Sequence, residues 1–159
     1  MFSRRLDLLE LRKARDLLRV IHPVRFVEMV YRVKLADFQR EFVEDFGSLC
    51  WSRPYLADDF EYKRFLVSGS RGSGKSFLAG AMSLWITTIA PFILRREIRV
   101  VVLGGSERQA QKVYDYLLKG LDKFEPLQDF LIGEPLRSRT RFVMGEVKVF
   151  PASEKDYSV

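Results

Sequence analysis

Eight consecutive residues carry the clearest chemistry in this chain: Gly69-Ser70-Arg71-Gly72-Ser73-Gly74-Lys75-Ser76. They satisfy the spacing GxxxxGK[ST] at every fixed position. The glycines allow backbone conformations closed to other residues, so successive amide N–H groups can point inward as a nest for phosphate oxygens. A helix starting at the end of such a loop adds the partial positive charge of its N-terminus. Lys75 would set a compact cation against the β- and γ-phosphates, and the Ser76 hydroxyl would complete the coordination of Mg2+. The expected ligands of this P-loop are therefore ATP and Mg2+. The competing reading is a glycine-rich turn that binds nothing, or a P-loop retained for structure alone.

Such a loop works between a strand and a helix, and the flanking sequence offers both. A strand is predicted at Lys63 to Ser68, and a helix after Gly74 places Leu78, Ala81, Met82, Trp85 and Ile89 at three- and four-residue spacing until Pro91 closes it. Ile98 to Leu103 is a near-continuous apolar run, the mark of a strand buried on both faces of a parallel sheet. Gly104-Gly105 then turns the chain. Ser106 with Gln109 forms a capping box for a helix running to about Lys123. Thr140 to Phe150 alternates apolar and polar residues around Gly145 and reads as a β-hairpin.

Upstream of the loop the pattern is helical. A first helix over Ser3 to Ile21 carries a wide stripe including Leu8, Leu11, Leu17, Leu18 and Val20, and Pro23 ends it. A second runs from about Val24 to Arg32. A third begins near Asp37, a suitable N-cap, carries Phe38, Phe42, Val43 and Phe46, and stops at Gly47-Ser48. His22, the single histidine, reads as a helix-terminus residue, since no second metal ligand accompanies it. Ser48 to Tyr62 reads as a loop. The expected class is α/β: a helical segment over 1–62, then part of a P-loop NTPase core over 63–159.

Composition limits the alternatives. The 159 residues are 47% hydrophobic and 30% charged, with 27 Lys and Arg against 21 Asp and Glu, a formal charge of +6. That is a globular composition with an excess that suits a polyanion partner, chiefly nucleic acid, although ordinary domains are often mildly basic. A lone cysteine, Cys50, closes no internal disulfide and fits a reducing compartment, so cytoplasm is the expected location. The most apolar stretch, Leu84 to Leu94, is far short of the roughly 20 residues of a bilayer span, so no membrane role is expected. Arg137, Arg139 and Arg141 alternate and would share one face of a strand, either to track a phosphate backbone or as a solvated edge. Arg95, Arg96 and the N-terminal Arg4, Arg5, Arg12, Lys13 and Arg15 are weaker candidates. Helix-turn-helix and zinc-finger spacings are missing.

Several pieces in order make the chain resemble the ATPase region of the large terminase subunit of tailed bacteriophages. They are Leu35-Ala36-Asp37-Phe38-Gln39, the P-loop with Arg71 four residues before Lys75, Val100 to Leu103 followed by Gly104-Gly105-Ser106 and Gln109-Ala110, and Phe142 to Ser153. The resemblance covers roughly Phe26 to Ser153. It implies that Gln39 contacts the adenine, that Arg71 stabilises charge beside the γ-phosphate, and that Lys75 and Ser76 hold the phosphates and Mg2+. It also implies an ASCE-type parallel sheet. The strand ending in Asp-Glu that follows in that family has no counterpart before Val159, Glu154 and Asp156 follow no apolar strand, and these 159 residues are not expected to include the family's nuclease domain. The sheet is therefore expected to be incomplete, with strands 63–68 and 98–103 not adjacent.

The implied function is the ATP-binding part of a viral DNA-packaging motor that couples hydrolysis to moving double-stranded DNA into a capsid. Its implied partners are the portal protein, the small terminase subunit, DNA, and further copies of itself in a ring. Two other readings stay open: a helicase-like translocase or kinase, and a module that binds nucleotide without hydrolysing it.

Overall fold

Proline and glycine punctuate the helical part of the chain, though not always by stopping a helix. The computed structural model describes residues 8–51 and 67–151. Helix α1 spans Leu8–Arg19, α2 Pro23–Tyr31 and α3 Asp37–Trp51. Pro23 takes the first turn of α2, where its missing N–H costs nothing, and His22 sits at the N-cap as expected. In α1, Val20 just past the helix is fully buried while Leu18 is 68% exposed, so the apolar stripe is narrower than the sequence suggests. Helix α3 does not stop at Gly47-Ser48. It runs on to Trp51, because Gly47 is buried against Pro23: a Cβ there would lie 2.3 Å from the proline Cγ. The glycine serves a close crossing of two helices.

Helix α4, Lys75–Thr88, is the spine of the fold. Leu78, Ala81, Met82, Leu84 and Trp85 are buried, and the Trp85 Nε1 donates to the Ile21 carbonyl at 3.0 Å, tying α4 to the link between α1 and α2. Pro91 falls in the first turn of a short new helix, α5, Ala90–Leu94, so α4 ends at Thr88 and the proline opens the next helix instead of closing this one. Among the described residues no helix is long and apolar enough to cross a membrane.

The sheet is mixed. Strand β1 spans Ile98–Gly104, and the predicted hairpin forms as β2, Arg139–Phe142, and β3, Gly145–Pro151. Their order is β1-β3-β2, with β1 parallel to β3 (Val100 opposite Val147) and β2 antiparallel to β3 (Thr140 opposite Val147). Residues 63–66 of the strand predicted before the glycine-rich loop lie outside the described residues, and Val67 and Ser68 form no strand. Among the described residues β1 is bonded to β3 alone, so 67–68 and 98–104 are not sheet neighbours.

Burial along β1 alternates, which corrects the expectation of a strand buried on both faces. Val100 and Val102 pack on the core with Val147 and Val149, while Val101 and Leu103 are 54% and 59% exposed. One face of the sheet rests on α4 and on α6, Glu107–Lys123; no described helix covers the other. Ser106 caps α6 by accepting from the Gln109 N–H at 3.3 Å, half of the expected box. A 3-10 turn over Glu125–Phe130, not foreseen in the sequence, follows α6. Tyr114 of α6 is fully buried, and its hydroxyl donates to the Leu136 carbonyl at 2.7 Å and meets the Thr140 hydroxyl, docking the helix on the hairpin.

Gly145 is where the hairpin meets α4. A Cβ on it would lie 2.3 Å from the Thr87 carbonyl oxygen. Gly145→Ala is expected to destabilise the fold by about 1–3 kcal/mol through overpacking, read as a lower midpoint in urea unfolding.

Candidate functional site

The glycine-rich loop is a tight turn that leads directly into α4. Ser70 to Ser73 form a turn closed by the Ser73 N–H to the Ser70 carbonyl at 3.3 Å. Gly72, the third residue of that turn, has φ +91°, and Gly74, the N-cap of α4, has φ +87°. Both conformations strain any residue with a Cβ. Gly69 has a different reason: a Cβ would crowd the Ser73 Oγ at 2.8 Å.

The Lys75 ammonium turns inward over this loop. Its Nζ donates to the carbonyls of Gly69 at 2.5 Å and Ser70 at 2.9 Å, and lies 3.3 Å from the Ser73 Oγ. Of the amides from Arg71 to Phe77, only that of Ser73 donates to a carbonyl among the described residues. The others have no carbonyl partner among the described residues, so a polyanion would find a cation beside N–H donors here. Ser76, half-buried, is the second residue of α4. Arg71 is exposed and has no polar partner among the described residues.

Gln39 comes thirty-six residues before Lys75 in the chain yet touches the same loop. Its Nε2 donates to the Ser73 carbonyl at 3.1 Å, and its Oε1 accepts from the Ala36 N–H at 3.1 Å. The second bond is the return arm of a capping box, with Gln39 in the third position of its own helix. A Cβ on Gly74 would lie 2.7 Å from the Gln39 Nε2, so loop and helix α3 fit closely. The start of α3 is itself fixed by Glu28 of α2, whose Oε1 accepts from the Leu35 N–H at 3.2 Å and from Arg40 at 2.7 Å.

Two groups that sequence reasoning passed over complete the surroundings. A cavity of about 350 Å³ opens beside the loop, with Ser70, Ser73 and Lys75 at its polar end and Phe38, Phe42, Val67 and Leu78 as its apolar wall. Phe38 is 57% exposed there. Phe77, next to Ser76, lies edge-on to Tyr31 at 5.1 Å and to Tyr116 at 5.6 Å, so an aromatic cluster seats the first turn of α4 on α2 and α6. Burial pushes the Tyr31 phenol up, and its hydroxyl donates to the Tyr116 carbonyl at 2.9 Å. In sequence Phe38, Phe42 and Leu78 read as ordinary apolar helix positions, and Val67 as part of the strand before the loop.

The basic residues are less uniform than their spacing suggests. Arg137 lies in the turn before β2 and pairs with Glu107 at 2.6 Å, so it does not share a strand face with the others. Arg139 and Arg141 do share the open face of the sheet, with Arg99 and Lys148. In their midst sits Glu146, bonded to Arg139 and 3.7 Å from Lys148. Burial pushes its carboxyl up, but the Arg139 hydrogen bond and the charges of Arg139, Lys148 and Arg99 outweigh this and hold it below its ordinary value. Lys13 is engaged by Asp129 at 3.1 Å and Arg15 by Asp16 at 3.1 Å, while Arg4 and Arg5 lie outside the described residues.

A depressed carboxyl stabilises the fold above its unfolded value and loses that contribution as pH falls through its folded value. Glu146→Gln is therefore expected to lower the melting temperature at pH 7. The gap to the wild type should narrow as pH falls below the ordinary carboxylate range and through the lowered folded-state value of Glu146.

No protein-family model, curated protein or solved structure matches this chain.

Proposed function

We propose that the chain is the nucleotide-binding part of an ATP-driven DNA-packaging motor, built on a P-loop NTPase fold of the ASCE type and akin to the large terminase subunit. The observation that carries this reading is the inward-turned Lys75 ammonium over a loop of open amides, met by Gln39 from an upstream helix. A bound triphosphate would take over the ammonium from the Gly69 and Ser70 carbonyls and fill the open N–H donors from Gly72 to Ser76. Ser76 would hold Mg2+, which neutralises phosphate charge during hydrolysis. Arg71, exposed and uncommitted, can swing toward the γ-phosphate.

The DNA half of the proposal draws on the resemblance and on the net charge of +6, with Arg99, Arg139, Arg141 and Lys148 on one open sheet face. A motor needs a sequence-independent grip, which phosphate contacts supply. The portal protein, the small terminase subunit and a homo-oligomeric ring on the capsid belong to the same proposal, as does the host cytoplasm.

The test is ATP turnover with Mg2+, with and without duplex DNA of unrelated sequences. Stimulation by every duplex, weakening as salt rises, is the expected result. Phosphoryl transfer to a small acceptor would point to a kinase. Tight ATP binding with no turnover, with or without DNA, would leave a nucleotide-binding module.

A further inference from the structure

The resemblance gives Gln39 the adenine, but the geometry points to a different division of labour. We infer that Phe38 and Phe42 form the base-binding wall of the nucleotide site, with Gln39 as a clamp on the loop. The site then takes purine triphosphates with little discrimination between adenine and guanine. This rests on the triphosphate reading above and adds to it the way the base is held.

Both ends of the Gln39 amide are already engaged by the protein. Its oxygen caps α3 through the Ala36 N–H, and its nitrogen holds the Ser73 carbonyl at the foot of the loop. These two bonds fix the plane of the amide, and turning it toward a base would break both, uncapping α3 and releasing the loop that grips the phosphates. The amide is thus a positioning group. Its partner Ser73 also lies beside the Lys75 ammonium, so the clamp bears on the phosphate end of the site.

The base end is apolar. Phe38, Phe42, Val67 and Leu78 line the cavity that continues from Lys75 and Ser73, so one molecule can lie along both. Phe38 projects from the first turn of α3, one residue from the clamp, and over half of its surface is open. Every nucleobase has a π-face, so stacking on an aromatic wall adds affinity without reading the base. Strong rejection of a wrong base needs buried polar groups left unpaired by it, whereas an apolar wall discriminates weakly.

The experiment is calorimetric titration of the chain with three probes, each with Mg2+: the β,γ-imido analogues of ATP and GTP, and inorganic tripolyphosphate. Wild type is expected to bind the two nucleotides within about fivefold of each other. Phe38→Ala should weaken both by about tenfold and leave tripolyphosphate unchanged. Phe38 is exposed, so the variant is expected to keep its fold, and Phe38→Tyr should restore nucleotide binding. Gln39→Ala should weaken all three probes by a common factor. A preference for the ATP analogue of about a hundredfold that vanishes in Gln39→Ala would overturn the inference, as would nucleotide affinities unmoved by Phe38→Ala. Wild type that fails to bind tripolyphosphate would overturn the triphosphate reading itself.

Discussion

Lys75→Ala is expected to lower triphosphate affinity by about a hundredfold or more while leaving the fold intact. The ammonium is bonded directly over the loop, and charge-assisted bonds to phosphate are about twice as strong as neutral ones. Two such bonds, at about 1.5–3 kcal/mol each, account for a loss of this size. The effect on stability is small because the two carbonyls it leaves, Gly69 and Ser70, are exposed and pass to water. Calorimetry with the ATP analogue and thermal unfolding of the same sample separate the two quantities. Equal affinity in wild type and variant would show that any nucleotide bound does not sit in this loop.

Trp85→Ala is expected to have the largest effect on stability, about 3–5 kcal/mol. The side chain is fully buried in α4, and its Nε1 bond to the Ile21 carbonyl is the link between the helix that carries the loop and the turn between α1 and α2. Removal leaves a cavity the size of an indole and an unsatisfied carbonyl. Since domains of this size hold only about 5–15 kcal/mol in reserve, a large share of the stability goes with it. Urea unfolding measures the loss. A change below about 1 kcal/mol would mean that α4 does not anchor the core in the way described. Trp85→Phe keeps much of the volume and loses the donor, so it should fall between the two.

The parts of the structure legible in the sequence are those set by local rules. The loop's glycines allow positive φ, and Gly72 and Gly74 adopt it, while Gly69 is kept by the closeness of the Ser73 side chain. Helices α2, α4 and α6 follow the three- and four-residue spacing of their apolar residues, and the hairpin follows its alternation. What the sequence did not reveal depends on tertiary neighbours. Gly47 reads as a stop because a glycine looks the same whether it ends a helix or lets Pro23 pass close. Ile98 to Leu103 is apolar on both faces, yet only one face finds a described partner, and no periodicity states which.

The candidate site divides in the same way. The end proposed to hold phosphate is written in eight contiguous residues. Gln39 is visible only through the resemblance, and its two bonds depend on α3 starting beside the loop, a placement set by Glu28 on a third element. Phe38 and Phe42 sit at helical spacing among Val43 and Phe46 and so read as core, although Val43 is fully buried and Phe38 is exposed in the cavity. The arginine triplet fails as a unit because Arg137 lies in a turn, where alternation no longer determines which way a side chain faces.

The central claim is that the loop's own amides grip phosphate. Backbone amide NMR during titration with the Mg2+ complex of the ATP analogue tests it most directly. The predicted result is that the N–H signals of Gly72, Gly74, Lys75 and Ser76 move together and saturate with the calorimetric affinity. Binding that leaves those four signals in place, or a titration that moves none, would contradict it.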